Sequence, residues 1–281
     1  MICYSNRWKW RAAFAASFIF FITAITAKAQ EDSFMVWFKD QRKELYDGYA
    51  DLKVVGTVPD FIRGFLIRLG PTVLSTDKRN YTNYIDGFGR ISKWYFDANS
   101  VKFQSAILKS NLWNASDDGT DIPAHIVSEK TEPAYKLGSP DLSVMDNTDV
   151  MVYRFPGSKK LLTFTDFSES NVVDLDSLRA LGNTVYTDSV SKAYTYSGSH
   201  YAEYKEPSSN CTVIVKWFGK SKFGGITLSV YLMGEDMKRR IIGSVDVSFT
   251  PYSIHSLQVA GDYAFIVLGA AELNFAEVGV R

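Results

Sequence analysis

Apolar and polar residues alternate over short stretches along most of the chain, and turn residues separate the stretches. Residues 101–104 alternate as a half-buried strand does, and apolar character resumes through Leu108. Residues 65–69 are apolar except for Arg68, and residues 93–96 form a short aromatic run. Residues 150–155 and 160–165 predict a hairpin across Pro156-Gly157-Ser158. Further strands are predicted at 212–218, 226–233, 240–247 and 263–268, with Phe223-Gly224-Gly225, Gly234-Glu235-Asp236 and Gly261-Asp262 in the gaps. One segment has a different period. In residues 33–52 the side chains of Phe34, Trp37, Phe38, Leu45 and Tyr49 fall at helical spacing, with Lys39, Asp40, Arg42 and Lys43 between them. This predicts a short amphipathic helix leading into an all-β domain. Short strands joined by turns, without helical crossovers, fit a sandwich, a barrel or a propeller. No tight internal repeat is visible to choose among them.

Composition agrees with a β-rich fold: 15% of the 281 residues are aromatic, and aromatic side chains favour strands. The first 29 residues read as a secretory signal. Arg7, Lys9 and Arg11 precede an uncharged, mostly apolar run at 12–27, and Ala27-Lys28-Ala29 fits a small-x-small cleavage pattern. A secreted or secretory-lumen protein is expected. The alternative is an uncleaved signal anchor, although a spanning helix wants about 20 apolar residues. Cleavage would remove four of the 31 basic residues and none of the 31 acidic ones, for a net charge of −4. No basic run or face points to a nucleic-acid partner. Cys3 would leave with the signal, so Cys211 would stand alone and burial rather than a disulfide would stabilise the fold. Sequons at Asn80, Asn114 and Asn210 are candidate glycosylation sites.

Residues 56–71, Gly-Thr-Val-Pro-Asp-Phe-Ile-Arg-Gly-Phe-Leu-Ile-Arg-Leu-Gly-Pro, resemble the opening signature of the carotenoid cleavage oxygenase family. Pro59 stiffens the entry, Gly64 allows a tight turn into a strand, and Gly70-Pro71 is expected to end it. Asn83-Tyr84-Ile85-Asp86-Gly87 resembles a family segment that begins with histidine, and Met145-Asp146-Asn147-Thr148-Asp149-Val150 resembles a Thr-Asp-Asn segment. The resemblance can be followed from residue 56 to residue 271. It implies a seven-bladed β-propeller, of which residues 56–281 would form part, after a signal at 1–29 and a helical lead-in at 30–55.

In that family four inward-facing histidines hold one iron(II). Tyr196-Ser197-Gly198-Ser199-His200 and Tyr252-Ser253-Ile254-His255-Ser256-Leu257 match the first two ligand segments, which implies metal-ligand roles for His200 and His255. The other two ligands are expected beyond this stretch of sequence. His125 matches neither and reads as a surface residue. A family glutamate that orients a ligand imidazole corresponds to Asp166, one methylene shorter, so a lost or lengthened bond is expected there. The implied activity is iron(II)-dependent oxidative cleavage of a carotenoid or apocarotenoid double bond by O2, giving carbonyl products such as retinal-type aldehydes. A peripheral membrane contact for taking up the lipophilic polyene goes with it. Relatives are nearly twice as long, so this stretch alone would be inactive. A secreted, non-catalytic carotenoid or retinoid binder is the alternative, favoured by the departures at Asn83 and Asp166. An unrelated β-rich glycoprotein is a third reading.

Overall fold

In the computed structural model the described residues are 39–269, apart from 99, 117–118, 124–130, 135–144, 168, 191–195 and 252–253. The signal segment 1–29 and His125 lie outside them.

Antiparallel strands account for almost all of the regular structure. The first group is β1 (Leu45–Leu52), β2 (Gly64–Val73), β3 (Asn80–Tyr81), β4 (Phe88–Asp97) and β5 (Ser100–Ile107), followed by a short helix α1 (Asn111–Ala115) and β6 (Thr131–Glu132). The second is β7 (Met151–Tyr153), β8 (Lys160–Phe164), β9 (Ser170–Asp174) and β10 (Ala180–Asn183). The third is β11 (Tyr196–Ser197), β12 (Ala202–Lys205), β13 (Thr212–Lys222), β14 (Gly225–Met233) and β15 (Arg239–Val247), and the last pair is β16 (Leu257–Ala260) and β17 (Tyr263–Ile266). They form sheets in the orders β1-β5-β4-β2, β10-β9-β8-β7 and β11-β13-β14-β15, with β12 also on β13, and two-stranded pairs β16-β17 and β3-β6. Successive strands are mostly neighbours, as short turns require.

The sheets pack face to face in chain order. Ile91, Ala106 and Leu108 of the first sheet and its exit pack against Leu161, Val173, Leu175 and Leu178 from the second sheet and its turn. Tyr153, Leu162 and Phe164 of the second pack against Ile214, Phe218, Tyr231 and Met233 of the third. The opposite face of β13, Val213, Val215 and Trp217, packs with Ile254 and Leu257 towards β16. Residues 213–219 of β13 are therefore buried on both sides, which explains a run that is apolar but for Lys216.

Of the helix predicted over 33–52, Phe34, Trp37 and Phe38 lie outside the described residues, and the part from Leu45 is corrected by the structure. From Leu45 onward the chain is strand β1, paired with β5, with Leu45 opposite Ser105 and Ala50 opposite Phe103. A register shift between Leu45 and Ala50 resets the two-residue alternation, so Leu45 and Tyr49 imitate a helical face while lying in a sheet. Pairing with the open edge of β5 satisfies a row of backbone groups that a short helix would leave exposed. Nor does Gly70-Pro71 end the second strand. β2 runs on to Val73, with a shift between Pro71 and Val73, because proline is tolerated at a bulge on an edge strand. Arg68 is exposed on that strand, an edge charge rather than half of a buried ion pair.

Candidate metal centre

Three loops converge where the second and third sheets meet. Asp166 follows β8, Ser199 and His200 follow β11, and His255 precedes β16. The backbone stitches them together. Ser197 N–H donates to the Asp166 carbonyl at 3.1 Å, and His200 N–H donates to the His255 carbonyl at 3.3 Å. The Nε2 atoms of His200 and His255 lie 3.0 Å apart, with ring centroids at 4.6 Å and planes inclined by 71°.

Behind His255, Nδ1 lies 3.1 and 3.0 Å from the two carboxylate oxygens of Asp166. The shorter side chain thus still reaches the imidazole, against the expectation of a lost or lengthened bond. Ser199 closes the arrangement. Its hydroxyl donates to Asp166 Oδ1, its backbone N–H reaches the same oxygen at 3.3 Å, and its Oγ sits 3.2 Å from His255 Nδ1. A carboxylate on Nδ1 holds the proton there, so Nε2 carries the lone pair. This is not a hydrolase triad: serine and carboxylate share one ring nitrogen of His255, and Ser199 is fully buried, so no relay runs from serine through the ring. Burial, followed by the neighbouring His255, lowers the pKa of His200, which favours a neutral imidazole.

Two facing ring nitrogens at this distance either share a proton or share a cation. Bonds of about 2.1 Å meeting near a right angle put two ligating nitrogens roughly 3 Å apart. Neutral imidazoles suit iron(II). The pair therefore fits two adjacent positions of a metal centre, with Asp166 and Ser199 fixing one ring. Among the described residues no third metal-ligating side chain joins them, and the sequence holds three histidines in all. Four imidazoles cannot come from this stretch alone.

Other sequence-singled residues serve the frame. Asp146 accepts from the N–H groups of Asn111 and Leu112 at 2.8 and 2.9 Å, at the start of α1. Asn147 accepts from Gly89 N–H at 2.8 Å and donates to the Gly87 carbonyl at 2.9 Å. Asn83 caps a short turn at Tyr84–Asp86. Asn80, Asn114 and Asn210 are exposed. No helix among the described residues is long and apolar enough to cross a membrane. Sequence reasoning missed Ser199 as a partner of the site, although it adjoins His200 in the quoted segment.

The model of the family described as retinal pigment epithelial membrane protein matches residues 38–280. The chain belongs to that family. Human mitochondrial carotenoid-cleaving dioxygenase is 26% identical over 138 residues, which is 45% of this chain and 24% of that protein. Carotenoid isomerooxygenase of Galleria mellonella is 23% identical over 177 residues, 59% of this chain and 33% of that protein. Among solved structures, a Synechocystis apocarotenoid oxygenase variant with aspartate in place of a glutamate superimposes with a TM-score of 0.69 at 16% identity, covering 87% of this chain and 51% of that one. Cobalt-substituted Synechocystis apocarotenoid oxygenase gives 0.63 at 16%, covering 81% and 47%. The fold is thus that of the carotenoid oxygenase propeller, in part. The chain spans about half the length of these solved structures and a quarter to a third of the curated relatives.

Proposed function

We propose that this chain supplies half of an iron(II) centre for oxidative cleavage of a carotenoid or apocarotenoid double bond. The observation that carries the reading is the approach of the His200 and His255 Nε2 atoms to 3.0 Å, with Asp166 behind one of them. His200 and His255 would hold the metal through these nitrogens. When bound, it would supply the oxygen chemistry that protein side chains lack. Asp166 holds the Nδ1 proton of His255 and so keeps that ring's lone pair directed at the shared point. Ser199 fixes the carboxylate in turn. His200, with its pKa lowered by burial, stays neutral and able to ligate at neutral pH. A centre of four imidazoles would need more rings than the three histidines this stretch holds. The substrate class follows from the family and from the names of the relatives, which are carotenoid-cleaving or carotenoid-isomerising enzymes.

Anaerobic titration of the full chain with cobalt(II), followed by visible absorption and by the histidine ring NMR signals, tests the metal reading. One cobalt per chain is expected, perturbing both rings, with His200→Ala and His255→Ala each weakening it at least tenfold. A chain whose ring signals ignore cobalt overturns it. Binding of a polyene by the metal-free chain, with no product under O2, would instead favour the non-catalytic binder.

A further inference from the structure

Directly beneath the histidine pair lies a lysine in a place where an apolar side chain would pack. Lys216 stands on β13 opposite Tyr231 of β14 and is only 2% exposed. Its neighbours on the same face, Ile214 and Phe218, belong to the core between the second and third sheets. Nζ sits 4.0 Å from the centroid of the Phe164 ring and donates to the Gly198 carbonyl. That carbonyl belongs to the peptide joining Gly198 to Ser199. The N–H of the same peptide donates to Asp166 Oδ1. Gly198 N–H and the Ser197 hydroxyl both donate to the Trp217 carbonyl, at 3.3 and 3.1 Å.

A peptide unit is planar, so gripping its oxygen from one side and its N–H from the other sets the rotation of the plane. The residue after that plane is His200. The carboxylate that grips the N–H also orients His255. We propose that Lys216 is a positioning residue: by holding the Gly198 carbonyl it sets the strap that carries Ser199 and His200 against Asp166, and so fixes the approach of the two imidazoles. The inference rests on the reading of His200 and His255 as metal ligands.

Stability does not explain this lysine. A buried ammonium costs several kcal/mol to desolvate, and replacement by an apolar residue of similar volume is often neutral or stabilising. The aromatic face and one carbonyl recover part of that cost. What a methionine could not supply is a donor aimed at Gly198.

The test compares the full wild-type chain with Lys216→Met, which keeps the length of the side chain, and Lys216→Gln, which keeps an N–H donor without a cation. Cobalt(II) affinity, thermal midpoint and the ring nitrogen NMR signals of metal-free His200 and His255 are measured for each. Lys216→Met should fold with an unchanged or higher midpoint, shift both ring signals, and bind cobalt 10- to 100-fold more weakly, the range for losing a group that orients metal ligands. Lys216→Gln should recover part of that loss. Unshifted ring signals and wild-type cobalt affinity in Lys216→Met overturn the proposal. If wild type itself binds no cobalt, the metal reading fails, and the metal-free ring signals still decide whether Lys216 positions the pair. If Lys216→Met does not fold, Lys216→Gln decides by the same two measurements.

Discussion

Two buried lysines make the same kind of contact in two regions of this molecule. In the first sheet, Lys93 on β4 is 3% exposed, donates to the carbonyls of Leu175 and Asp176 at 2.6 and 3.3 Å, and lies 5.2 Å from the Tyr49 ring centroid. In the third sheet, Lys216 donates to the Gly198 carbonyl and faces the Phe164 ring. Each ammonium answers backbone carbonyls in a segment outside its own strand, beside an aromatic face. The difference lies in what the held segment carries. Lys93 closes a turn after β9 that bears no chemistry, so it ties one sheet to the next. Lys216 holds the strap two residues before His200. One device serves cohesion in one place and alignment in the other, and burial alone does not tell them apart.

The largest expected effect, at Lys216, is a pH dependence. Burial pulls the Lys216 amine down to about 7, below its ordinary value of 10.5. Between these values the unfolded chain holds a proton that the folded chain lacks, so the folded state gains as pH rises. Below about pH 7 the full penalty of a buried ammonium is present. Comparing urea unfolding at pH 7 and pH 10, wild type should gain about 4 kcal/mol relative to Lys216→Met, at about 1.4 kcal/mol per pH unit. Parallel pH profiles in the two proteins would show that the amine is not so perturbed.

Next in size is Lys93→Ala. It leaves the Leu175 carbonyl without its buried charged donor and opens a cavity, for a loss of about 3 kcal/mol. The expected thermal midpoint falls by roughly 6–12 °C for a domain of this size. Cobalt affinity should stay within twofold of wild type, because nothing Lys93 holds touches the histidines. A loss of cobalt affinity in the folded variant would erase the contrast between the two lysines.

Ser199→Ala tests the site from its other side. The serine is fully buried and links Asp166 to the His255 ring. Removing the hydroxyl should cost about 1 kcal/mol in stability and about tenfold in cobalt affinity, measured by unfolding and by titration. Loss of stability without loss of affinity would reduce Ser199 to a packing role.

The contrast between the lysines was not legible in the sequence, and the reason is physical. An isolated lysine within an apolar strand ordinarily sends its amine to solvent. Only the packing of both faces of β13 against other sheets closes that route for Lys216. Lys93 opened a short aromatic run that does lie within β4, but its partners are backbone carbonyls, which have no identity in sequence. What was legible depended on side-chain type at a fixed place. Residues 160–165 and 226–233 announced β8 and β14 by apolar runs between turn residues, and the segments around His200 and His255 marked both rings. For Asp166 the expectation was a lost or lengthened bond, whereas its carboxylate lies 3.0 and 3.1 Å from His255 Nδ1, because main-chain position can offset a missing methylene. The first strand was misread because its register shift imitates helical spacing.

The smallest predicted effect sharpens what the Lys93 tie consists of. Asp176 takes part twice. Its side chain pairs with Lys159 at 3.0 Å, with the two side chains 79% and 68% exposed for lysine and aspartate. Its backbone carbonyl accepts from Lys93 and, at 2.9 Å, from Gln104. The exposed pair sits in high dielectric and gives up side-chain entropy, so it contributes little. The carbonyl is reached by donors from a neighbouring sheet, where water does not compete as freely. Lys159→Ala should therefore change unfolding free energy by less than about 0.5 kcal/mol, and the change should vanish in 1 M salt. In the Lys93→Ala background the same substitution should add nothing beyond its own small value. A coupling above about 1 kcal/mol between the two changes would mean that the Asp176 side chain, and not the turn backbone, is what Lys93 holds in place.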